Sequence, residues 1–206
     1  MKIISAVVFL LLYSSSLAAQ TACESFPPSR PWELSVLAGG GSALSAESKA
    51  QFVFAGGRLG RVVTPPLGSD WTRGNLEIAL DVLPVYTVIT SAWTTYGGSF
   101  KPLDVQWNFT GENRQVVPFI AAAGGILFTT REIPPGSRAL PPSPPGSTSQ
   151  VNFTPQLNVG VRIFKRPDRA ILLEADIVHH SSSGLGRFNP GYPISLFFAV
   201  GYSWYK

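Results

Sequence analysis

The sequence contains a single cysteine, Cys23, among its 206 residues, so an internal disulfide cannot stabilise the fold. Only 14% of the residues are charged, and the formal net charge of +4 is too small and too scattered to indicate a nucleic-acid partner. No spacing of His, Cys, Asp and Glu resembles a metal site, and no glycine-rich phosphate loop precedes a helix pattern. We therefore expect neither a metal nor a nucleotide cofactor.

The N-terminal segment predicts export. Lys2 precedes an apolar run from Ile3 to Tyr13, and several small residues follow that run, as in a cleaved secretory signal peptide. No later stretch approaches the roughly 18 consecutive apolar residues that a membrane-spanning helix requires. Any insertion into a membrane must therefore use strands. We divide the chain into a signal peptide (1–20), a short N-terminal segment (21–30) and one folded domain (31–206).

The folded domain shows successive runs of roughly ten residues in which apolar and polar side chains alternate. A period of two is typical of a strand with one apolar and one polar face, and repeated runs of this length are typical of a transmembrane barrel. We therefore predict an all-β fold, an eight-stranded antiparallel transmembrane β-barrel of the outer membrane. The expected strands lie near residues 32–39, 51–63, 76–82, 103–109, 117–130, 151–163, 169–181 and 194–204, of which the second and fifth are glycine-rich and alternate poorly.

Charged residues on the polar faces of these strands are expected to point into the barrel. A barrel of eight strands has an interior only wide enough for side chains, and an unpaired buried charge is costly. We expect these charges to pair with one another, and a channel or a catalytic cluster is the alternative. The charged residues in question are Glu33, Glu77, Asp81, Asp104, Arg162, Glu174 and Asp176.

The seventh predicted strand ends with a histidine and a serine on its apolar side. The odd positions from Ile171 to Ile177 are apolar, and His179 and Ser181 continue the same face. If both termini lie in the periplasm, the tight turn 165–168 is periplasmic, and both this strand end and the proline-rich loop near 131–148 lie on the outer side. A base and a nucleophile on a lipid-facing surface suit an enzyme whose substrate is a membrane lipid.

Two other interpretations of this strand end are open. His180 and Asp176 share the inward face and could serve a nucleophile at Ser182, although a filled lumen leaves no room for a large lipid. The run His-His-Ser-Ser-Ser could also be a polar strand end that leads into a loop, with no chemical role.

The stretch His-His-Ser-Ser-Ser-Gly-Leu (179–185), followed by Asn-Pro-Gly (189–191) and the closing strand, resembles the PagL group of outer-membrane lipid A 3-O-deacylases. The resemblance implies that Ser181 is the nucleophile and His179 the general base. The substrate would be lipid A or lipopolysaccharide, and the reaction would hydrolyse an ester-linked acyl chain, at the 3-position in this family. The resemblance also implies an oxyanion site at Ser182 and Gly184.

Two positions depart from the family pattern. The family has Asn where this chain has Ser182, and it has its triad Glu where gap-free counting places Pro193. We expect Asn189, a backbone carbonyl or an acid from another strand to orient the imidazole instead. Arginine side chains suit phosphate groups, so lipid A phosphates would pair with Arg187, Arg131 and Arg138.

Two functions of other classes remain as alternatives. The first is a non-enzymatic outer-membrane barrel that has a structural role or binds a partner through its proline-rich loop. The second is a periplasmic lipid-binding barrel, which would need its apolar faces turned inward. The sequence leaves open whether the barrel works as a monomer or as a homodimer.

Overall fold

The computed structural model describes residues 31–44, 49–111, 115–134, 148–185 and 191–206. The predicted signal peptide (1–20) and the segment 21–30 lie outside these ranges. No helix among the described residues is long and apolar enough to cross a membrane.

A 3-10 turn, Asp70–Thr72, lies between the second and third strands. The strands are β1 (Trp32–Ala43), β2 (Ala50–Val62), β3 (Gly74–Thr90), β4 (Thr94–Phe109), β5 (Val116–Ile133), β6 (Ser149–Phe153), β7 (Gln156–Arg166), β8 (Arg169–His180) and β9 (Tyr192–Tyr205).

These strands form one closed antiparallel sheet. β6 and β7 both pair with β5, and they form one barrel strand that is interrupted at Thr154 and Pro155. The sheet closes because β1 pairs with β9 and β4 pairs with β5. The prediction of an eight-stranded antiparallel barrel is therefore confirmed.

The barrel is polar inside and apolar outside. In β1, Leu34 and Val36 are 54% and 53% exposed, whereas the alternate residues Glu33 and Ser35 are fully buried. This arrangement is the reverse of a water-soluble barrel and is that of a transmembrane barrel, whose outer wall contacts lipid. The alternative of a water-soluble lipid carrier is therefore wrong, because its apolar side chains would have to point inward.

Side chains fill the lumen along its length. We call the end where β1 begins and β9 ends the basal end, and the end where β8 finishes the site end. Apolar clusters lie inside both ends, one around Phe52, Phe54 and Phe197 near the site end and a smaller one around Val62 and Tyr205 near the basal end. The polar network lies between these clusters, which leaves no open channel through the described barrel.

Arg162 of β7 holds the basal half of this network. Its guanidinium group is fully buried and lies 2.8 Å from a carboxylate oxygen of Glu33 and 3.3 Å from one of Glu77. It also donates hydrogen bonds to Asn108 at 2.7 Å and to Gln106 at 2.8 Å. Groups from β1, β3 and β4 are thereby joined to β7 across the lumen.

Arg58 of β2 is the central cation in the half of the polar network that lies nearer the site end. Its guanidinium nitrogens lie 2.8 Å from Asp81, 2.8 Å from Glu174 and 3.2 Å from Asp104. The expectation that the lumen charges pair is confirmed for these residues. Arg58 itself was not predicted, because three glycines in β2 obscure the alternation of that strand.

We expect Arg162→Met to destabilise the barrel by about 3–5 kcal/mol, because the substitution leaves Glu33 and Glu77 buried without their cation. The measurement is urea unfolding of the refolded barrel in lipid vesicles. Lys49→Met is the control, since Lys49 is exposed at the site end and its loss should change stability little. Equal stabilities of the two variants would contradict the role assigned to Arg162.

Candidate active site

His179 and Ser181 lie on the outward face at the end of β8. His179 is exposed and Ser181 is half-buried, whereas His180 and Ser182 point inward and are buried. The backbone holds this segment in place, because the His179 amide donates to the Pro155 carbonyl at 3.0 Å. Ser181 pairs with Phe153 through two backbone hydrogen bonds of 2.7 and 3.0 Å. The strand alternation therefore places the two side chains on the side that was predicted.

A β-bulge in β9 brings a backbone carbonyl to the imidazole. The pairing of Val178 with Ser195 is followed by that of His180 with Tyr192, so β9 contains one extra residue here. Both Pro193 and Ile194 are consequently exposed. Proline has no backbone N–H to donate to the ladder and is tolerated at such a bulge.

The Pro193 carbonyl lies 2.9 Å from His179 Nδ1. A carbonyl oxygen only accepts hydrogen bonds, so Nδ1 must carry the proton, and the neutral ring then has its lone pair on Nε2. Pro193, the position that gap-free counting matched to the Glu of the PagL pattern, therefore supplies a backbone acceptor. Among the described residues, a backbone carbonyl is therefore the group in contact with His179 Nδ1.

Gly191 makes this approach of the two chain segments sterically feasible. Its φ of +54° is in the left-handed region, and a Cβ atom there would lie 2.3 Å from the His180 carbonyl oxygen. Any other residue would push β9 away from the end of β8. The glycine therefore controls the distance from Pro193 to His179.

The chain turns sharply after Ser181. The Leu185 amide donates to the Ser182 carbonyl at 2.9 Å, and both central residues have positive φ, +48° at Ser183 and +85° at Gly184. This turn directs the Ser183 amide to Ser181 Oγ at 3.2 Å. A Cβ atom on Gly184 would have nothing within 4 Å, so the space beside that residue is open. The resemblance implied an oxyanion site at Ser182 and Gly184, whereas the contact of the Ser183 amide with Ser181 Oγ depends on the turn geometry.

His180 is enclosed by aromatic rings inside the barrel. Its imidazole stacks on Phe52 with centroids 4.9 Å apart, and Nε2 lies 3.4 Å from the Tyr86 hydroxyl. The other ring nitrogen, Nδ1, is buried without a hydrogen-bond partner. Neither nitrogen is therefore bonded to Asp176, and the predicted second dyad with Ser182 is not formed. The cavity nearby, beside Lys101, is only water-sized, so a lipid cannot enter.

Of the remaining predicted site residues, the structure describes Arg131. Arg131 is exposed near the end of β5, with its guanidinium carbon 5.9 Å from the centre of the Trp93 ring. Asn189, Arg138 and Arg187 lie outside the described residues. Among the residues that the structure describes, no group of three or more His, Cys, Asp and Glu side chains is placed to hold a metal ion.

Comparison with known proteins agrees with the fold. No protein-family model matches the chain, and no curated protein matches it. Among solved structures, it is similar to the outer membrane enzyme PagL at 18% identity and a TM-score of 0.47, over 82% of this chain and 97% of that one. It is similar to the N-terminal barrel of Pseudomonas aeruginosa OprF at 13% identity and a TM-score of 0.49, with coverage of 84% and 96%. It is also similar to Neisserial surface protein A at 11% identity and a TM-score of 0.52, over 85% of this chain and 97% of that one. These identities show a shared barrel fold and nothing finer.

We expect nitrogen NMR of the folded barrel to show that the neutral tautomer of His179 carries its proton on Nδ1, because the Pro193 carbonyl accepts a hydrogen bond from that atom. The chain has only two histidines, so a His180→Phe variant assigns both signals. A neutral His179 with its proton on Nε2 would contradict the contact with Pro193.

Proposed function

We propose that this chain is an outer-membrane esterase that removes an ester-linked acyl chain from lipid A. The observation that carries the proposal is the outward pair of His179 and Ser181, with the imidazole held by the Pro193 carbonyl at 2.9 Å. A hydroxyl and an oriented neutral imidazole on one strand face are the elements of a nucleophilic hydrolase. The motif resemblance of residues 179–191 to lipid A deacylases supports the same roles.

In the proposed reaction, His179 Nε2 takes the proton of Ser181 Oγ as that oxygen attacks the ester carbonyl. The tetrahedral oxyanion is stabilised by backbone amides of the turn at Ser182 and Gly184, as the motif resemblance implies. Collapse of this intermediate breaks the ester bond. The imidazolium gives its proton to the departing sugar oxygen, which leaves as a hydroxyl group. Water then attacks the acyl-enzyme with His179 as base, which releases the fatty acid and regenerates Ser181.

The surroundings of the pair suit a membrane lipid as substrate. Ile177 and Ile194, which are 54% and 49% exposed, flank His179 on the outer wall and offer an apolar surface for an acyl chain. Arg131 stands at the same end of the barrel, where its guanidinium group would contact a lipid A phosphate. A soluble ester would gain nothing from this location, because the site faces the membrane.

The carbonyl that replaces the family's acid has a chemical consequence. It fixes the tautomer and the ring orientation, but it carries no negative charge to stabilise the imidazolium. Loss of the acid in a serine triad costs up to about 10⁴-fold in rate, largely because the wrong tautomer forms. Since the tautomer is preserved here, we propose that this chain is an active deacylase whose catalytic rate is lower than that of an enzyme with a complete triad. The missing charge is also the observation that favours a non-enzymatic barrel, and the first experiment below separates the two.

We expect lipid A from a bacterial host that expresses this chain to lose one hydroxyacyl chain, as seen by mass spectrometry. Ser181→Ala and His179→Ala should each restore the intact lipid A, because the first lacks the nucleophile and the second the base. Ser69→Ala, at the basal end, is the matched control and should deacylate normally. Heat-modifiable migration on gels verifies that every variant folds. Unmodified lipid A with folded wild-type protein would favour the non-enzymatic barrel.

Gly191→Ala tests the orientation of the imidazole. The added Cβ displaces β9 from the His180 carbonyl, which misplaces the Pro193 acceptor, and a shift of this kind can cost about 10²-fold in rate. We expect kcat to fall with little change in KM, measured on lipid A in mixed micelles. Gly124→Ala, in β5, is the control, because a Cβ atom there would have nothing within 4 Å. An unchanged kcat for Gly191→Ala would show that the Pro193 contact does not contribute to catalysis.

A further inference from the structure

The turn between β2 and β3, residues 63–73, lies at the basal end, where β1 begins and β9 ends, and it is unusually long for that end of a transmembrane barrel. Turns at that end are normally short. It is nevertheless well ordered, because Leu67 and Gly74 exchange backbone hydrogen bonds of 2.6 and 2.9 Å. The Thr110 amide ties it to β4 through a 2.8 Å bond to the Arg73 carbonyl. At its tip, Trp71 is 81% exposed.

The exposed apolar residues of this turn continue the lipid-facing wall. Val63 directly follows the last buried residue of β2, and its amide bonds to the carbonyl of Leu76, on the outer face of β3. The Leu67 and Val63 side chains are 48% and 45% exposed. The turn therefore presents apolar side chains next to the lipid-facing wall of the barrel.

The basal end is also rich in tryptophan. Four of the five tryptophans of the chain lie there, and the Arg61 guanidinium carbon is 5.0 Å from the centre of the Trp32 ring. Tryptophan is enriched where a membrane protein crosses the interface between hydrocarbon and headgroups. The four residues are Trp32, Trp71, Trp107 and Trp204.

The charge around the basal end is predominantly positive. Among the described residues outside the lumen, only Asp70 and Asp168 are acidic at this end. Basic side chains near a membrane surface are attracted by anionic lipids. The basic residues at this end are Arg61, Arg73, Lys165, Arg166, Arg169 and Lys206.

We propose that these features form one lipid-binding surface, which we call the basal collar: the turn 63–73 together with these six basic residues. The collar binds the anionic phospholipid headgroups of the leaflet opposite the candidate active site. Trp71 is seated at the interface with Leu67 and Val63 beneath it, and the guanidinium groups pair with headgroup phosphates. This surface anchors the barrel whether or not Ser181 is catalytic.

The first test is the fluorescence of Trp71 in reconstituted vesicles. The difference between the emission spectra of wild type and Trp71→Phe reports on this residue alone. We expect a blue-shifted difference spectrum that is quenched by phospholipids brominated near the carbonyl region and protected from aqueous iodide. Trp107→Phe provides the reference for a ring on the lipid-facing wall. A water-like spectrum that iodide quenches would overturn the proposal and would indicate a soluble partner for the turn.

The second test concerns the basic side chains of the basal collar. Spin-labelled phospholipids measure the preference of the reconstituted barrel for anionic over zwitterionic headgroups. We expect the double variant Arg61→Gln/Arg73→Gln to reduce this preference severalfold, whereas Lys49→Gln, at the site end, should leave it unchanged. Equal lipid preference in wild type and the double variant would contradict the assigned role of the basic residues. Neither readout depends on deacylation.

Discussion

The pairing of two buried arginines with carboxylates across the lumen is the interaction on which the rest of the barrel depends. Arg162 and Arg58 join strands that are far apart in the chain, and Arg162 and Glu33 are separated by 129 residues. Buried charges of this kind are tolerated only when they are paired and hydrogen-bonded. The network therefore favours one register of the closed sheet, because a slip of one residue would turn its members toward lipid.

The filled lumen determines where any chemistry can take place. With polar pairs in the middle and apolar clusters inside both ends, the interior cannot admit a lipid, and the groups that remain accessible are on the outer wall. At most positions that wall is apolar, as a bilayer requires. A histidine and a serine lie two residues apart on the outer wall at the end of β8, and this pairing of a base with a hydroxyl carries more functional information than the interior charges do.

The candidate site relies on backbone geometry more than on side-chain identity. The imidazole is oriented by the Pro193 carbonyl, and the amide nearest Ser181 Oγ belongs to Ser183. Both groups are placed by local departures from regular structure, a bulge in β9 and a turn with two positive φ values. Gly191 permits the close passage of the two segments. In a site built in this way, a backbone acceptor and not an acidic side chain orients the imidazole.

The sequence by itself determined the strands, their faces, the barrel class and the outward placement of His179 and Ser181, because a period of two is a local property of the chain. It also indicated that the lumen charges would pair. Only the tertiary structure decided which residues pair, that Arg58 is one of the two central cations, and that Pro193 meets His179. Those contacts depend on register and bulges between segments distant in sequence, which no local pattern encodes.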